Sequence, residues 1–138
     1  MKKLTKIKIA IVEDDVYYNK TLTRYIQNIC NEQVYKGHIF EIKSFYNAHD
    51  CIEELEDDLN IMILDYFLFN EDEDDVLTGG DVLDVVKEHC PDCKVIVASA
   101  QQSGHTTAEL LRNGVFEYID KNVNTSNRIG AILQKVID

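Results

Sequence analysis

The residues of this chain best suited to chemistry are acids, a hydroxyl and a lysine, and each stands where an apolar run stops. Ile7 to Val12 runs into Glu13-Asp14-Asp15, and Ile61 to Leu64 runs into Asp65. Lys94 to Ser99 ends in a hydroxyl followed by Ala100, and Val115 to Ile119 is followed by Asp120-Lys121. A carboxylate that closes an apolar run is costly to bury unless its charge is compensated. Several acids gathered at one place repel each other. A hard divalent cation relieves that repulsion, and a set of oxygen ligands suits Mg²⁺. A nearby lysine adds to the compensation, and Lys121 is placed to supply it.

These groups meet only if the runs are strands of one sheet. Ile7 to Val12 is rich in β-branched residues and predicts a strand. Tyr18, Leu22, Tyr25, Ile26 and Ile29 then fall on one stripe of a helix. His38 to Phe45 predicts a second strand, and Ala48, Ile52, Leu55 and Leu59 a second helix. Ile61 to Leu64, apolar throughout, suits a strand buried on both faces of a parallel sheet. Tyr66 to Gly80 shows no period and predicts a long loop. Val82, Leu83 and Val86 open a third helix that stops near Cys90-Pro91. Lys94 to Ser99 is a fourth strand. Thr106 to Arg112 is a fourth helix, ended by Asn113-Gly114 in a left-handed cap. Val115 to Ile119 is a fifth strand, and Ile129, Ile132, Leu133 and Val136 mark a fifth helix reaching the C-terminus. Strand and helix alternate five times, which predicts one α/β domain over 1–138 with helices on both faces of a parallel sheet. In such sheets ligands bind outside the carboxyl ends of the strands, where the strand order reverses.

Composition narrows the function. The chain has 138 residues, 25 acidic and 14 basic, for a net charge of −11. Direct nucleic-acid binding rests on Lys and Arg against phosphates, and this balance argues against it. No apolar segment is long enough to span a bilayer, and the start lacks the h-region of a secretory signal. The expected compartment is the cytoplasm, with the four cysteines reduced.

In joint order and spacing, Glu13-Asp14, Asp65, Ser99-Ala100, Tyr118 and Lys121 resemble the receiver domain of two-component response regulators. The resemblance covers essentially the whole chain. It implies a flavodoxin-like, doubly wound sheet of strand order 2-1-3-4-5. It implies that Asp65 takes a phosphoryl group from a phosphohistidine of a sensor histidine kinase or a histidine phosphotransfer protein. Asp14, Asp65 and the main-chain carbonyl of Phe67 would ligate Mg²⁺ or Mn²⁺, with Glu13 acting through water. Ser99 and Lys121 would bind the phosphoryl oxygens, with main-chain amides near Tyr66 and Ala100. Tyr118 would pack inward as Ser99 turns toward the phosphoryl group. Phe67 and Gln101 flank the site and would tune phosphoryl lifetime, Gln101 by orienting a water. The face of the fourth helix, fifth strand and fifth helix would then bind an output partner, a fused effector domain or a second copy of the chain. Such a domain catalyses only its own phosphorylation and dephosphorylation.

The chain departs from the family pattern in its loops. Phe69 stands where a proline is usual, Glu71 to Asp75 enlarge the loop, and Gly79-Gly80 occupies the place of an Asp-Gly turn. Asn122 follows the lysine in place of proline, which puts the usual cis peptide in question. The acidic run reads first as a solvated loop; it also lies on the side where it would tune cation affinity. Without the nine acids of Glu13 to Asp15, Asp65 and Glu71 to Asp75, 16 acids would face 14 basic residues. The negative excess is thus expected at one edge of the sheet.

Three rivals fit less well. An aspartate-nucleophile phosphatase of the haloacid dehalogenase type needs a second aspartate where Phe67 stands. A flavin binder needs a hydroxyl- and glycine-rich loop after the first strand, where this chain has Glu13-Asp14-Asp15. A pseudo-receiver that only docks does not need Asp14, Asp65, Ser99 and Lys121 together. Cys90-Pro91-Asp92-Cys93 has redox spacing, but it follows a helix, so the helix dipole has the wrong sign to stabilise a thiolate. A zinc site there would lack ligands beyond His89, so a plain loop is expected.

Overall fold

The computed structural model describes residues 5–33, 37–65, 79–99, 110–122 and 124–137. Five strands form one parallel sheet: β1 (Thr5–Val12), β2 (His38–Phe45), β3 (Ile61–Asp65), β4 (Lys94–Ser99) and β5 (Glu117–Asp120). Their order is β2-β1-β3-β4-β5, as expected from the sequence. The helices are α1 (Val16–Gln33), α2 (Ala48–Glu53), α3 (Gly79–His89), α4, whose described end is residues 110–112, and α5 (Thr125–Ile137).

The period of two along each strand sorts side chains into two cores. Ile7, Ile9, Ile11, Ile61, Ile63, Ile96 and Ile119 face α1 and α5, where Leu22, Ile26, Cys30, Ile129 and Leu133 cover them. Ala10, Val12, Met62, Leu64, Val95 and Val97 face the other way, onto Ala48, Cys51, Val82, Leu83, Val86 and Leu110. All five residues of β3 are buried, which is why its sequence shows no polar alternation. Gly130 lets α5 approach α1 closely: a Cβ there would come within 3.0 Å of Ile29 and of the Tyr25 hydroxyl.

Several boundaries differ from the sequence reading. β1 begins at Thr5, because its first two residues pair with β2 although they are exposed. α2 ends at Glu53, so Leu55 and Leu59 lie beyond it. The chain tightens there, Leu55 N–H bonding Ile52 C=O at 3.4 Å, and Leu59 still reaches the core from the coil. Gly79 and Gly80 are the first residues of α3 rather than the end of a loop, and Asp81 supplies the acid favoured in a first turn. β5 starts two residues late. Val115 is buried, its N–H bonded to Leu110 C=O at 3.2 Å, and the first bond to β4 is from Phe116 N–H to Val95 C=O at 2.9 Å, just before the strand. Gly114 has φ +89°, the left-handed cap expected at the end of α4. Among the described residues no peptide bond is cis.

Candidate functional site

The strand order reverses between β1 and β3, whose neighbours lie on opposite sides. Glu13 and Asp14 leave the carboxyl end of β1, and Asp65 is the last residue of β3. Parallel pairing of Val12 with Leu64 therefore brings these acids side by side. One carboxylate oxygen from each of Glu13, Asp14 and Asp65 lies within 4.8 Å of the others. Glu13 and Asp65 are buried, at 2% and 6% exposure. Lys121, just past β5, donates to Glu13 and lies 3.2 Å from an Asp65 oxygen.

Among the described residues, Lys121 is the cation in contact with this cluster, and it meets two of the three acids. Burial pushes the Glu13 carboxyl above its ordinary pKa. Lys121 opposes this, while the hydrogen bond with Asp14 and the charge of Asp65 add to it. Burial disfavours the Lys121 ammonium, but Glu13 and Asp65 outweigh it and hold its pKa above the ordinary value. An all-oxygen donor set, mostly buried, fits a hard divalent cation such as Mg²⁺.

The acids after β1 divide the work. Asp15 caps α1, its side chain accepting from the Tyr18 N–H at 2.9 Å and its carbonyl from the Asn19 N–H at 2.8 Å. Asp14 belongs to the acid cluster. Asn19, which the sequence reading passed over, is wholly buried and donates to the Glu13 carbonyl at 3.0 Å and the Phe45 carbonyl at 3.1 Å. It ties the loop carrying the acids to the end of β2. A lone asparagine in a helix has no pattern that would mark this role.

Lys121 is held by its backbone. Its N–H bonds the Ser99 carbonyl at 2.8 Å. Beyond it Thr125 Oγ1 accepts from Asn122 N–H at 2.6 Å, and the Asn122 side chain accepts from Asn124 N–H at 2.8 Å. These bonds give a defined turn where the family pattern has proline.

Ser99 is buried and ends β4, beside the strand that Asp65 ends. Tyr118, in β5, is half-buried and packs on the core that Val97 shares, the face Ser99 also takes. Tyr66, Phe67, Phe69, Glu71 to Asp75, Ala100 and Gln101 lie outside the described residues.

The remaining polar groups lie elsewhere. His49, Asp50 and Glu53 form an exposed cluster on α2 with separations of 3.5 and 3.6 Å, an arrangement typical of a helix surface. Cys90 to Cys93 is a turn between α3 and β4, as expected. The Cys90 thiol donates to the Leu59 and Asp57 carbonyls at 3.1 and 3.2 Å. Burial raises the Cys90 thiol's pKa and pushes that of Cys93 to about 12, the opposite of a redox pair.

Comparison with known proteins agrees with this geometry. The family described as the response regulator receiver domain matches residues 9–133. The fold is similar to the BeF3-activated receiver domain of DrrB, a Thermotoga maritima protein (20% identity, 96% of this chain and 98% of that one, TM-score 0.76). It is similar to the non-phosphorylated HemR receiver domain of Leptospira biflexa (16% identity, 96% and 94%, TM-score 0.76). A third likeness is to a Burkholderia pseudomallei response regulator with a phosphorylated aspartic acid, calcium ion and citrate (15% identity, 94% and 71%, TM-score 0.65). At these identities the likeness is one of fold. No curated protein matches the chain.

Proposed function

The chain belongs to the response regulator receiver family, and from that membership we propose that Asp65 accepts a phosphoryl group from a phosphohistidine on a sensor histidine kinase or histidine phosphotransfer protein. The observation that carries this reading is the convergence of Glu13, Asp14 and Asp65 within 4.8 Å, with Lys121 on two of them. The Burkholderia neighbour, described with a phosphorylated aspartic acid, supports it.

Asp14, Asp65 and Glu13 would hold Mg²⁺ or Mn²⁺. A cation bound there would screen the incoming phosphoryl oxygens from the acids and stabilise charge in the in-line displacement. An Asp65 carboxylate oxygen attacks phosphorus opposite the donor nitrogen. The P–O bond forms as the P–N bond breaks, and the imidazole nitrogen leaves with the bonding pair and takes a proton. Lys121 meets a phosphoryl oxygen with its ammonium, which its backbone bond to Ser99 keeps at the end of β5. The Ser99 hydroxyl, two residues along the same sheet face from Val97, donates to another. Its turn toward the phosphoryl group leaves room for Tyr118 to pack further inward.

That repacking changes the face of α4, β5 and α5, which binds the output: a partner protein, a fused effector domain or a second copy. The domain turns over no substrate beyond its own phosphoryl group. Among the described residues no helix is long and apolar enough to cross a membrane, and a reducing cytoplasm suits four free cysteines. Incubation with acetyl phosphate tests the reading: labelling is expected with Mg²⁺, and neither without it nor in Asp65→Asn. Equal labelling of Asp65→Asn would overturn it.

A further inference from the structure

Tyr18 was expected only as part of the apolar stripe of α1, yet its ring does something no stripe requires. The Lys121 ammonium lies 4.7 Å from the ring centroid. Glu13 and Asp65 engage the same ammonium. Lys121 is thus bounded by two carboxylates and one aromatic face. We propose that Tyr18 is a positioning residue, its ring a platform that keeps the Lys121 ammonium aimed at Asp65. The inference rests on the phosphoacceptor reading above and deepens it.

The platform is fixed by its backbone and by packing. The Tyr18 N–H is held by the Asp15 cap. The ring packs against the core under α1 and α5. The hydroxyl is buried, makes no hydrogen bond among the described residues, and lies near Thr125. Thr125 in turn secures the turn after Lys121 through Asn122 and Asp120. The ring therefore abuts the turn that carries Lys121, and packing against the core keeps it there.

An aromatic face suits this task better than a third carboxylate. It attracts a cation through its quadrupole and occupies no N–H donor. The ammonium has three donors, and it must give one to a phosphoryl oxygen when Asp65 reacts. A third acid would compete for that donor. The ring holds the ammonium through the exchange. The buried phenol needs no partner of its own for this, since the aromatic face alone makes the contact.

The test compares wild type, Tyr18→Phe, Tyr18→Leu and Tyr18→Met in the full chain, labelled by acetyl phosphate at saturating Mg²⁺. A cation–π contact of ordinary strength predicts labelling roughly 3- to 30-fold slower in the Leu and Met variants. The Phe variant should recover the rate, because it keeps the ring. The Mg²⁺ concentration for half-maximal rate should stay within about twofold in every variant whose carboxylates are intact. A second measurement does not use phosphorylation: the Lys121 ε-CH₂ NMR resonances should be shifted upfield by the ring in wild type and Phe, and return to ordinary values in Leu and Met. Labelling of Leu and Met at the wild-type rate overturns the inference, as does a Phe variant as slow as Leu. So do ε-CH₂ resonances alike in all four proteins. Wild type that takes no label while the ring shift is present refutes the phosphoacceptor reading and leaves the ring contact standing.

Discussion

Lys121 meets Glu13 and Asp65, and Lys8 meets Glu56 and Asp58, yet the two lysines sit in opposite electrostatic settings. Around Lys8 the charges balance. Lys6, Lys8 and Lys43 face Glu41, Glu56 and Asp58, with Lys6–Glu41 and Lys8–Asp58 both at 2.9 Å. Water reaches the acids there, with side chains 34% exposed in Glu56 and 62% in Asp58. Around Lys121, among the described residues, one cation meets two acids of a cluster of three, and the Glu13 and Asp65 side chains are 3% and 7% exposed. The outcome shows on the acids: Lys43 first, and then Lys8, hold the Glu56 pKa down to about 2, while burial drives that of Glu13 upward. A balanced, solvated cluster closes a surface. A buried cluster of acids is where a divalent cation would relieve the repulsion.

The sharpest way to break this contrast is to remove each lysine. Lys121→Met should slow acetyl phosphate labelling by about a hundredfold, the scale for losing one pre-positioned charge. Lys8→Met should leave labelling within about twofold, as expected of a group outside the reacting set. Equal effects on labelling would erase the distinction. Next in size, Asp14→Asn should weaken Mg²⁺ binding by at least about tenfold. The same variant should unfold a few degrees higher than wild type without metal, because it relieves like-charge crowding. Metal titration and thermal unfolding check the two halves separately.

Asn19→Ala should cost about 1–3 kcal/mol of stability, since it strips a buried donor from two carbonyls. Denaturant unfolding measures that, and the reduced hold on the Glu13 loop should also slow labelling. The smallest effect belongs to the solvated cluster. Glu56 has a folded pKa below its ordinary 4.5, so its contribution is complete above that value and is lost as pH falls through about 2. Glu56→Gln should therefore unfold slightly earlier than wild type at pH 7 and close on it as pH falls through about 2. A gap that persisted at low pH would show that Glu56 acts through packing rather than charge.

The contrast also explains what the sequence could disclose. β2 and β4 were legible to the residue, because β-branched runs bounded by polar residues have one reading in a parallel sheet. The convergence of Glu13, Asp14, Asp65 and Lys121 was legible because each stands at or just past the carboxyl end of a strand. Three things were not. The period of α1 marks Tyr18 as facing the sheet, but not that a lysine far along the chain lies over its ring. Asn19 stands alone in its helix, and only the geometry shows it bonding the Glu13 and Phe45 carbonyls. The short α2 misled because Leu55 and Leu59 keep helical spacing while packing from coil, a case where tertiary burial overrides local period.

If Asp65 carries the phosphoryl group as proposed, the position of the label can be read directly. Borohydride reduces an aspartyl phosphate to homoserine, so protein labelled with acetyl phosphate and Mg²⁺ should yield homoserine at position 65 on peptide mass spectrometry. Homoserine at Asp14 or at another acid, or phosphate recovered on a serine or histidine with Asp65 unmodified, would contradict the account.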